Sequence, residues 1–272
     1  MKREDIRICV LRVGGTNCDA ETQRSFEEIG VHAEIIHANL VAKRRSMLDY
    51  DALLFPGGFS YGDYVRAGAI WAKWLVARLG KDLQVFANEG RPILGICNGF
   101  QVLVEAGLLP AFDGITSYPE AALATNDPPG YDCRWINLRQ ENRGKCIFTR
   151  TIRKGNVIRV PVAHGEGRFI FATEKERQHL DRLLENDQLV FRYCFRDGEY
   201  ANGAFPANPN GSFFDIAGIC DPNGTVFGLM PHPERAFYWW QQPNWALTEE
   251  MSGFGDGKLI FESLVNYIEK RG

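Results

Sequence analysis

The first hundred residues alternate short apolar runs with segments of helical periodicity. Strands are predicted at 6–13, 33–37, 51–55 and 92–96, and helices at 19–29, 63–79 and 99–106, with Gly30, Gly80 and Gly107 ending the three helices. This order is typical of a mostly parallel sheet flanked by helices. It predicts a doubly wound, flavodoxin-like α/β fold that binds its ligands at the carboxyl ends of the strands.

The second half of the chain has a weaker pattern. Strands are predicted at 134–138, 157–162, 168–171, 189–195 and 226–230, and helices at 174–185 and 258–268. The sequence contains neither an internal repeat nor a linker, so we expect a single domain over residues 1–272. Segments 110–131 and 237–254 are predicted to be longer loops of that domain.

Charge and hydropathy exclude two classes of protein. The chain has 31 basic and 34 acidic residues and a formal charge of -3, which lacks the basic excess of a dedicated nucleic-acid binder. Its first apolar run is much shorter than a signal sequence or the ~20 residues of a membrane span. The seven cysteines form no C-x-x-C pair and are odd in number, which favours free thiols. We therefore expect a cytoplasmic protein that binds neither nucleic acid nor membranes.

A cysteine lies at a predicted sharp turn between a strand and a helix. Gly95-Ile96-Cys97-Asn98-Gly99 is the thiol counterpart of the G-x-S-x-G nucleophile elbow. Glycines on both sides allow the strand and the helix to approach closely, and the start of the helix favours a thiolate at Cys97. The alternative is that Cys97 is a small buried apolar residue at a strand end.

A thiolate nucleophile needs a base, and His232 is the best candidate among five histidines. Pro231 and Pro233 fix its backbone direction, and Glu234 is placed to orient the ring. The same four residues could instead form a stiff turn that caps a helix. His164, in a glycine-rich segment, is a further polar candidate.

Donors for an oxyanion are available at two of the predicted strand ends. The backbone N–H of Asn98 follows the candidate nucleophile, and Gly57-Gly58 ends a strand that we expect beside the elbow strand. A Pro-Gly-Gly sequence can also be a simple turn. A nucleophile, its donors and a base with its orienting carboxylate at separate strand ends together form a consistent candidate site.

These motifs resemble those of the class I, or triad, glutamine amidotransferases. Longer strings across the chain resemble the glutaminase subunits of phosphoribosylformylglycinamidine synthases, a family of purine biosynthesis. The strings are FPGGFSYGDY (55–64), RAGA (66–69), GICNGFQ (95–101), AHGEGRF (163–169), NPNGS (208–212) and GLMPHPERA (228–236).

The resemblance implies a reaction and a role for each motif residue. Cys97 would attack the side-chain amide of L-glutamine and form a glutamyl thioester, and His232, held by Glu234, would move the protons. Gly58 and Asn98 would form the oxyanion hole. The resemblance also implies a set of substrate-binding residues, namely Gly57, Gln101, His164, Gly165 and Glu166.

The resemblance further implies partners. Ammonia would pass to a synthetase subunit that uses ATP and Mg²⁺ to convert formylglycinamide ribonucleotide into formylglycinamidine ribonucleotide, and a small third subunit would bridge the assembly. No metal or cofactor is expected in this chain. In agreement, none of its Gly-Lys pairs is followed by Ser or Thr, so it has no Walker A motif.

Two other classes of function are compatible with the elbow. A freestanding cysteine hydrolase or peptidase would use the same cysteine without needing the Pro-His-Pro-Glu string. A thiol-based stress sensor would use Cys97 as an oxidisable group.

Overall fold

A computed structural model describes residues 1–43, 45–243, 245–247 and 253–271 of the chain. Six α-helices are found in these ranges: α1 (Asp19–Glu27), α2 (Ala38–Val41), α3 (Ala69–Asn88), α4 (Asn98–Glu105), α5 (Glu176–Glu185) and α6 (Lys258–Arg271). The same ranges hold eleven strands: β1 (Arg7–Arg12), β2 (His32–His37), β3 (Ala52–Phe55), β4 (Ile93–Ile96), β5 (Ala122–Ala124), β6 (Asp132–Gln140), β7 (Val157–His164), β8 (Arg168–Ile170), β9 (Leu189–Cys194), β10 (Ile216–Cys220) and β11 (Val226–Leu229).

Nine strands form one mixed sheet in the order β2-β1-β3-β4-β11-β10-β9-β6-β7. The pairs from β2 to β11 are parallel, and the pairs from β11 to β7 are antiparallel. The predicted mostly parallel sheet flanked by helices is therefore confirmed. Strands β5 and β8 form a separate antiparallel pair.

Helices lie on both faces of the parallel half. The chain moves outward from β1 to β2 but in the opposite direction from β3 to β4, so right-handed crossovers place α1 and α3 on opposite faces. Phe26 of α1 packs edge-on against Phe261 of α6, with ring centroids 5.2 Å apart. Between the layers, strands β3 and β4 are buried along their whole length, as expected for a parallel sheet covered twice.

The helix predicted at 63–79 is wrong at both ends. It begins only at Ala69, because Asp63 and Gly68, inside the predicted range, have left-handed φ values of 54° and 78°. It also continues through Gly80 to Asn88. A glycine inside a helix costs about 1 kcal/mol, which the burial of Leu83 and Phe86 in the next turns outweighs.

Two of the observed strands were not predicted from the sequence. β5 lies inside the segment 110–131 that was predicted to be a loop, and its three residues have no clear alternation of apolar and polar side chains. β10 is buried throughout, but its sequence Ile-Ala-Gly-Ile-Cys contains a glycine and only two strong strand formers. Part of the second predicted loop, at 244 and 248–252, lies outside the described residues. No helix in the described part of the chain is long and apolar enough to cross a membrane.

Candidate active site

The candidate residues meet at one edge of the sheet. Strands β1, β3, β4 and β11 are neighbours and run parallel, so their carboxyl ends lie side by side. The segments that follow these four strands carry, in order, Cys18, Gly58, Cys97 and His232. The prediction that the Pro-Gly-Gly strand lies beside the elbow strand is confirmed by the β3–β4 pairing.

Cys97 has the backbone conformation of a nucleophile elbow. Its φ of 51° and ψ of −106° lie in a region that non-glycine residues rarely occupy, and α4 begins at the next residue. Its backbone N–H donates to the carbonyl of Leu229 at 2.8 Å, which ties the elbow to β11. A β-carbon on Gly99 would lie 1.8 Å from the carbonyl oxygen of Phe55, and one on Gly95 would lie 2.6 Å from that of Gly99. The close approach of strand and helix therefore requires both glycines.

His232 and Glu234 form a buried pair. Nδ1 of His232 lies 2.5 Å from Oε1 of Glu234, and both residues are 2% exposed. The backbone N–H of His232 donates to the carbonyl of Pro161 in β7 at 2.8 Å, which fixes where the ring emerges. Among the described residues, Nε2 of His232 has no hydrogen-bond partner. That nitrogen is thus available to exchange a proton with another group.

The charges around His232 favour its protonated form. Burial lowers the pKa of His232, but the Glu234 carboxylate, and after it the charge of the Cys97 sulfur, outweigh burial. The resulting pKa of His232 is well above its ordinary value. A protonated His232 is the form that can give a proton to a leaving group.

Two backbone N–H groups near the nucleophile have no acceptor. Within the described ranges, neither the N–H of Gly58 nor that of Asn98 donates a hydrogen bond, so both remain available for an oxyanion. Gly58 has a φ of 148°, and a β-carbon there would lie 2.7 Å from the carbonyl oxygen of Gly15. The Asn98 side chain accepts from the N–H of Ser60 at 3.3 Å and so holds the two donor loops together.

A cleft of about 140 Å³ opens beside Cys97. Gln101 lies on one wall, where its side chain accepts from Asn98 Nδ2 at 2.9 Å and donates to the carbonyl of Glu166 at 2.5 Å. The carboxylate of Glu166 accepts from the N–H of Ala67 at 3.0 Å. The cleft is lined by Gly58, Phe59, Asp63, Ala67, Cys97, Gln101, Tyr131, Ala163, His164, Gly165 and Glu166.

His164 lines the cleft, but both nitrogens of its ring are already occupied. Nδ1 lies 3.2 Å from Oδ1 of Asn126, and Nε2 lies 3.4 Å from Nδ2 of Asn210. Burial, with the nearby His232 charge, lowers the pKa of His164 to about 3, so the ring is neutral. These contacts assign the proton to Nδ1, and they favour a role in holding the cleft wall rather than in proton transfer.

Gly57 lies against the imidazole rather than in the cleft. A β-carbon at this position would approach Cε1 of His232 to 2.7 Å. Its carbonyl accepts from the N–H groups of Asn17 and Cys18 at 3.3 and 3.2 Å. Gly57 therefore gives His232 space and joins the loop after β1 to the loop after β3.

A second cysteine near His232 was missed from the sequence. Sγ of Cys18 lies 4.0 Å from Nδ1 of His232 and accepts from Nη2 of Arg235 at 3.1 Å, and Arg235 also pairs with Glu21 at 2.9 Å. The position of Cys18 directly after β1, at the edge that carries the site, was the available signal.

Ligand-type atoms of Cys18, His232 and Glu234 lie within 4.8 Å of one another. The donor set nevertheless does not fit a cation, since the Arg235 guanidinium contacts the sulfur and Glu234 already holds Nδ1. We therefore describe Cys18 and Arg235 as packing that supports the His232–Glu234 pair.

An elbow cysteine, free backbone donors and a buried histidine–glutamate pair thus meet at the carboxyl edge of a doubly wound sheet. A model of the CobB/CobQ-like glutamine amidotransferase domain matches residues 5–268. By fold and family model, the chain is a glutamine amidotransferase.

Individual relatives show to which family of glutamine amidotransferases the chain belongs. A protein of Archaeoglobus fulgidus named phosphoribosylformylglycinamidine synthase subunit PurQ is 49% identical over 99% of this chain and 100% of its own length. A protein of Methanococcus maripaludis with the same name is 44% identical over 97% of this chain and 94% of its own length. The solved structure of PurLQS from Thermotoga maritima matches with 34% identity and a TM-score of 0.70, covering 97% of this chain and 99% of that one. The chain belongs to the PurQ family, which confirms the resemblance found in its sequence.

Proposed function

We propose that this chain is the glutaminase subunit of a phosphoribosylformylglycinamidine synthase, with Cys97, His232 and Glu234 as its catalytic triad. The observation that carries the proposal is the meeting of Cys97, at an elbow beside a free oxyanion site, with the buried His232–Glu234 pair. Membership of the PurQ family supplies the reaction class.

In the first half of the reaction, the Cys97 thiolate attacks the side-chain amide carbon of L-glutamine. The N–H groups of Gly58 and Asn98 stabilise the oxyanion of the tetrahedral intermediate, since they lose no other hydrogen bond when they donate to it. The imidazolium of His232 then protonates the amide nitrogen. The C–N bond breaks, ammonia leaves, and a glutamyl thioester remains on Cys97.

In the second half, His232 acts as a base. Its Nε2 takes a proton from water as the water attacks the thioester, and the collapse of the second tetrahedral intermediate releases glutamate and returns the Cys97 thiolate. Glu234 keeps the ring oriented through Nδ1 and stabilises its positive charge in both halves.

The proposed partner is an ATP- and Mg²⁺-dependent synthetase subunit, which would use the ammonia on formylglycinamide ribonucleotide. Support comes from the names of the relatives, which are subunits of a synthase, and from the Thermotoga maritima structure, which is that of PurLQS. A small bridging subunit and a cytoplasmic location belong to the same proposal. A glutaminase that released ammonia without its partner would waste it, so we propose that the partner raises its activity.

A coupled assay tests this function. We expect the synthetase, with ATP and formylglycinamide ribonucleotide, to increase glutamate release by the purified chain by about 5- to 150-fold, the usual range of coupling between two sites. The formylglycinamidine product should form in step with glutamate. Fast release by the chain alone that the synthetase does not change would contradict the proposal and favour a freestanding hydrolase.

A further inference from the structure

A strained loop directs one carboxylate into the cleft beside Cys97. Between Gly58 and α3, Tyr61, Gly62 and Asp63 all have left-handed φ values. Such a conformation costs non-glycine residues of order 1 kcal/mol or more each, and it persists where the surrounding structure requires it. Here the left-handed conformation reverses the direction of the chain after Gly58. As a result, Asp63 is part of the cleft lining.

The carboxylate of Asp63 is incompletely satisfied by the protein. Its Oδ1 is buried and has no hydrogen-bond partner among the residues that the structure describes. Partial burial, and after it the negative charge of Glu166, raise the pKa of Asp63 to about 6, although a backbone hydrogen bond from Gly68 opposes the rise. A buried acceptor without a donor is costly in a folded protein unless a ligand supplies the donor.

The other charged groups near this carboxylate do not neutralise it. Glu166, from the turn between β7 and β8, adds negative charge to the same cleft. Arg66, in the loop of Asp63 itself, pairs with Glu105 of α4 at 2.5 Å, and its charge also acts on Glu166 but not on Asp63. Gln101, Tyr131 and the neutral His164 are the other polar residues of the lining, besides Cys97. Among the described residues that line the cleft, two are carboxylates and none is a lysine or arginine.

We infer that Asp63, with Glu166, forms the pocket for the α-ammonium group of L-glutamine and so determines the specificity of the amide hydrolysis. This inference rests on the proposed function. Glutamine carries its reacting amide at one end and, at the other, an ammonium and a carboxylate group on the α-carbon. Of these two groups, only the ammonium can pair with the Asp63 carboxylate. The ammonium group would donate to the free Oδ1 of Asp63. An amide substrate without that group would leave the acceptor unpaired.

The test compares two substrates in wild type and in Asp63→Asn. The second substrate is glutaramate, which is glutamine without its α-amino group. We expect Asp63→Asn to lower kcat/KM for L-glutamine about 10- to 100-fold, mainly through KM, because a hydrogen bond to a charged partner is lost. The value for glutaramate should stay within about twofold. Asp113→Asn, which removes an exposed carboxylate paired with Arg182 outside the cleft, should change neither value.

The pH profile provides a second measurement. In wild type, kcat/KM for L-glutamine should fall as the pH drops below about 6, because protonation removes the charge of Asp63. Asp63→Asn should lack this limb, and so should wild type with glutaramate. Equal losses for both substrates in the variant, or an unchanged preference for glutamine, would overturn the inference.

Failure of this inference can be separated from failure of the proposed function. Titration calorimetry with Cys97→Ala in the synthetase complex measures binding of L-glutamine without turnover. Binding that weakens 10- to 100-fold on adding Asp63→Asn supports the ammonium pocket even if wild type released no glutamate. Binding that Asp63→Asn does not weaken would overturn the pocket while leaving the Cys97 chemistry intact.

Discussion

Replacing Cys97 by alanine or serine should lower glutamate release by at least about 10⁴-fold, in the chain alone and in the synthetase complex. The nucleophile forms the covalent intermediate, and removing the nucleophile of a triad removes nearly all of its catalysis. Serine should not restore activity, because its hydroxyl is a weaker nucleophile than a thiolate at this site. The measurement is glutamate formed per minute from saturating L-glutamine.

Cys133 provides the matched control for this variant. It is an exposed free cysteine on β6 that is not part of the cleft lining, so Cys133→Ser should retain at least about half of the activity. The synthetase should still work with added ammonium salts in the presence of the Cys97 variants, since only the ammonia source is lost. Substantial glutaminase activity in Cys97→Ala would contradict the assignment of the nucleophile.

Replacing His232 by alanine should lower glutamine turnover by a similar factor, about 10³- to 10⁴-fold. Without the imidazole, the amide nitrogen leaves unprotonated and no base activates water for the thioester. His32→Ala is the control, because that histidine is exposed on the edge strand β2. Its turnover should match wild type.

The same variant separates the enzyme from the thiol-sensor alternative. A sensor would need only an accessible, oxidisable Cys97, so His232→Ala would keep most of its reactivity with peroxide. Loss of glutamine turnover in His232→Ala, together with retained thermal stability, agrees with a catalytic base. Retained turnover would show that His232 belongs to a structural turn.

Much of the fold could be predicted because the sequence signals for most strands of the parallel half are local. β1 and β3 are apolar runs followed by Gly14 and Pro56, and β4 is an apolar run preceded by Pro92, so their signals depend on neighbouring residues alone. The start of α3 was missed because the left-handed φ values of Asp63 and Gly68 break the helix, and a local apolar pattern does not show them. β10 was missed because its stability comes from burial between β9 and β11, which a local pattern does not contain.

In the candidate site too, some residues could be predicted from local sequence and others could not. Cys97, His232 and Glu234 each lie in a motif whose spacing carries its meaning, and the structure brings them to one edge of the sheet. Cys18 lies in no such motif, and Asp63, although part of the string at 55–64, has no spacing that indicates its role. Their place in the site depends on the β1–β3 pairing and on a loop with left-handed φ values, and both are properties of the folded chain.

Two buried cysteines flank His232, so the most direct test is to find which sulfur carries the acyl group. The complex is mixed with L-glutamine and all substrates, quenched in acid within the first turnovers, digested and analysed by mass spectrometry. We predict a glutamyl group on the peptide that contains Cys97 and unmodified Cys18. A glutamyl group on Cys18, or glutamate release without any acyl-enzyme at Cys97, would contradict the account.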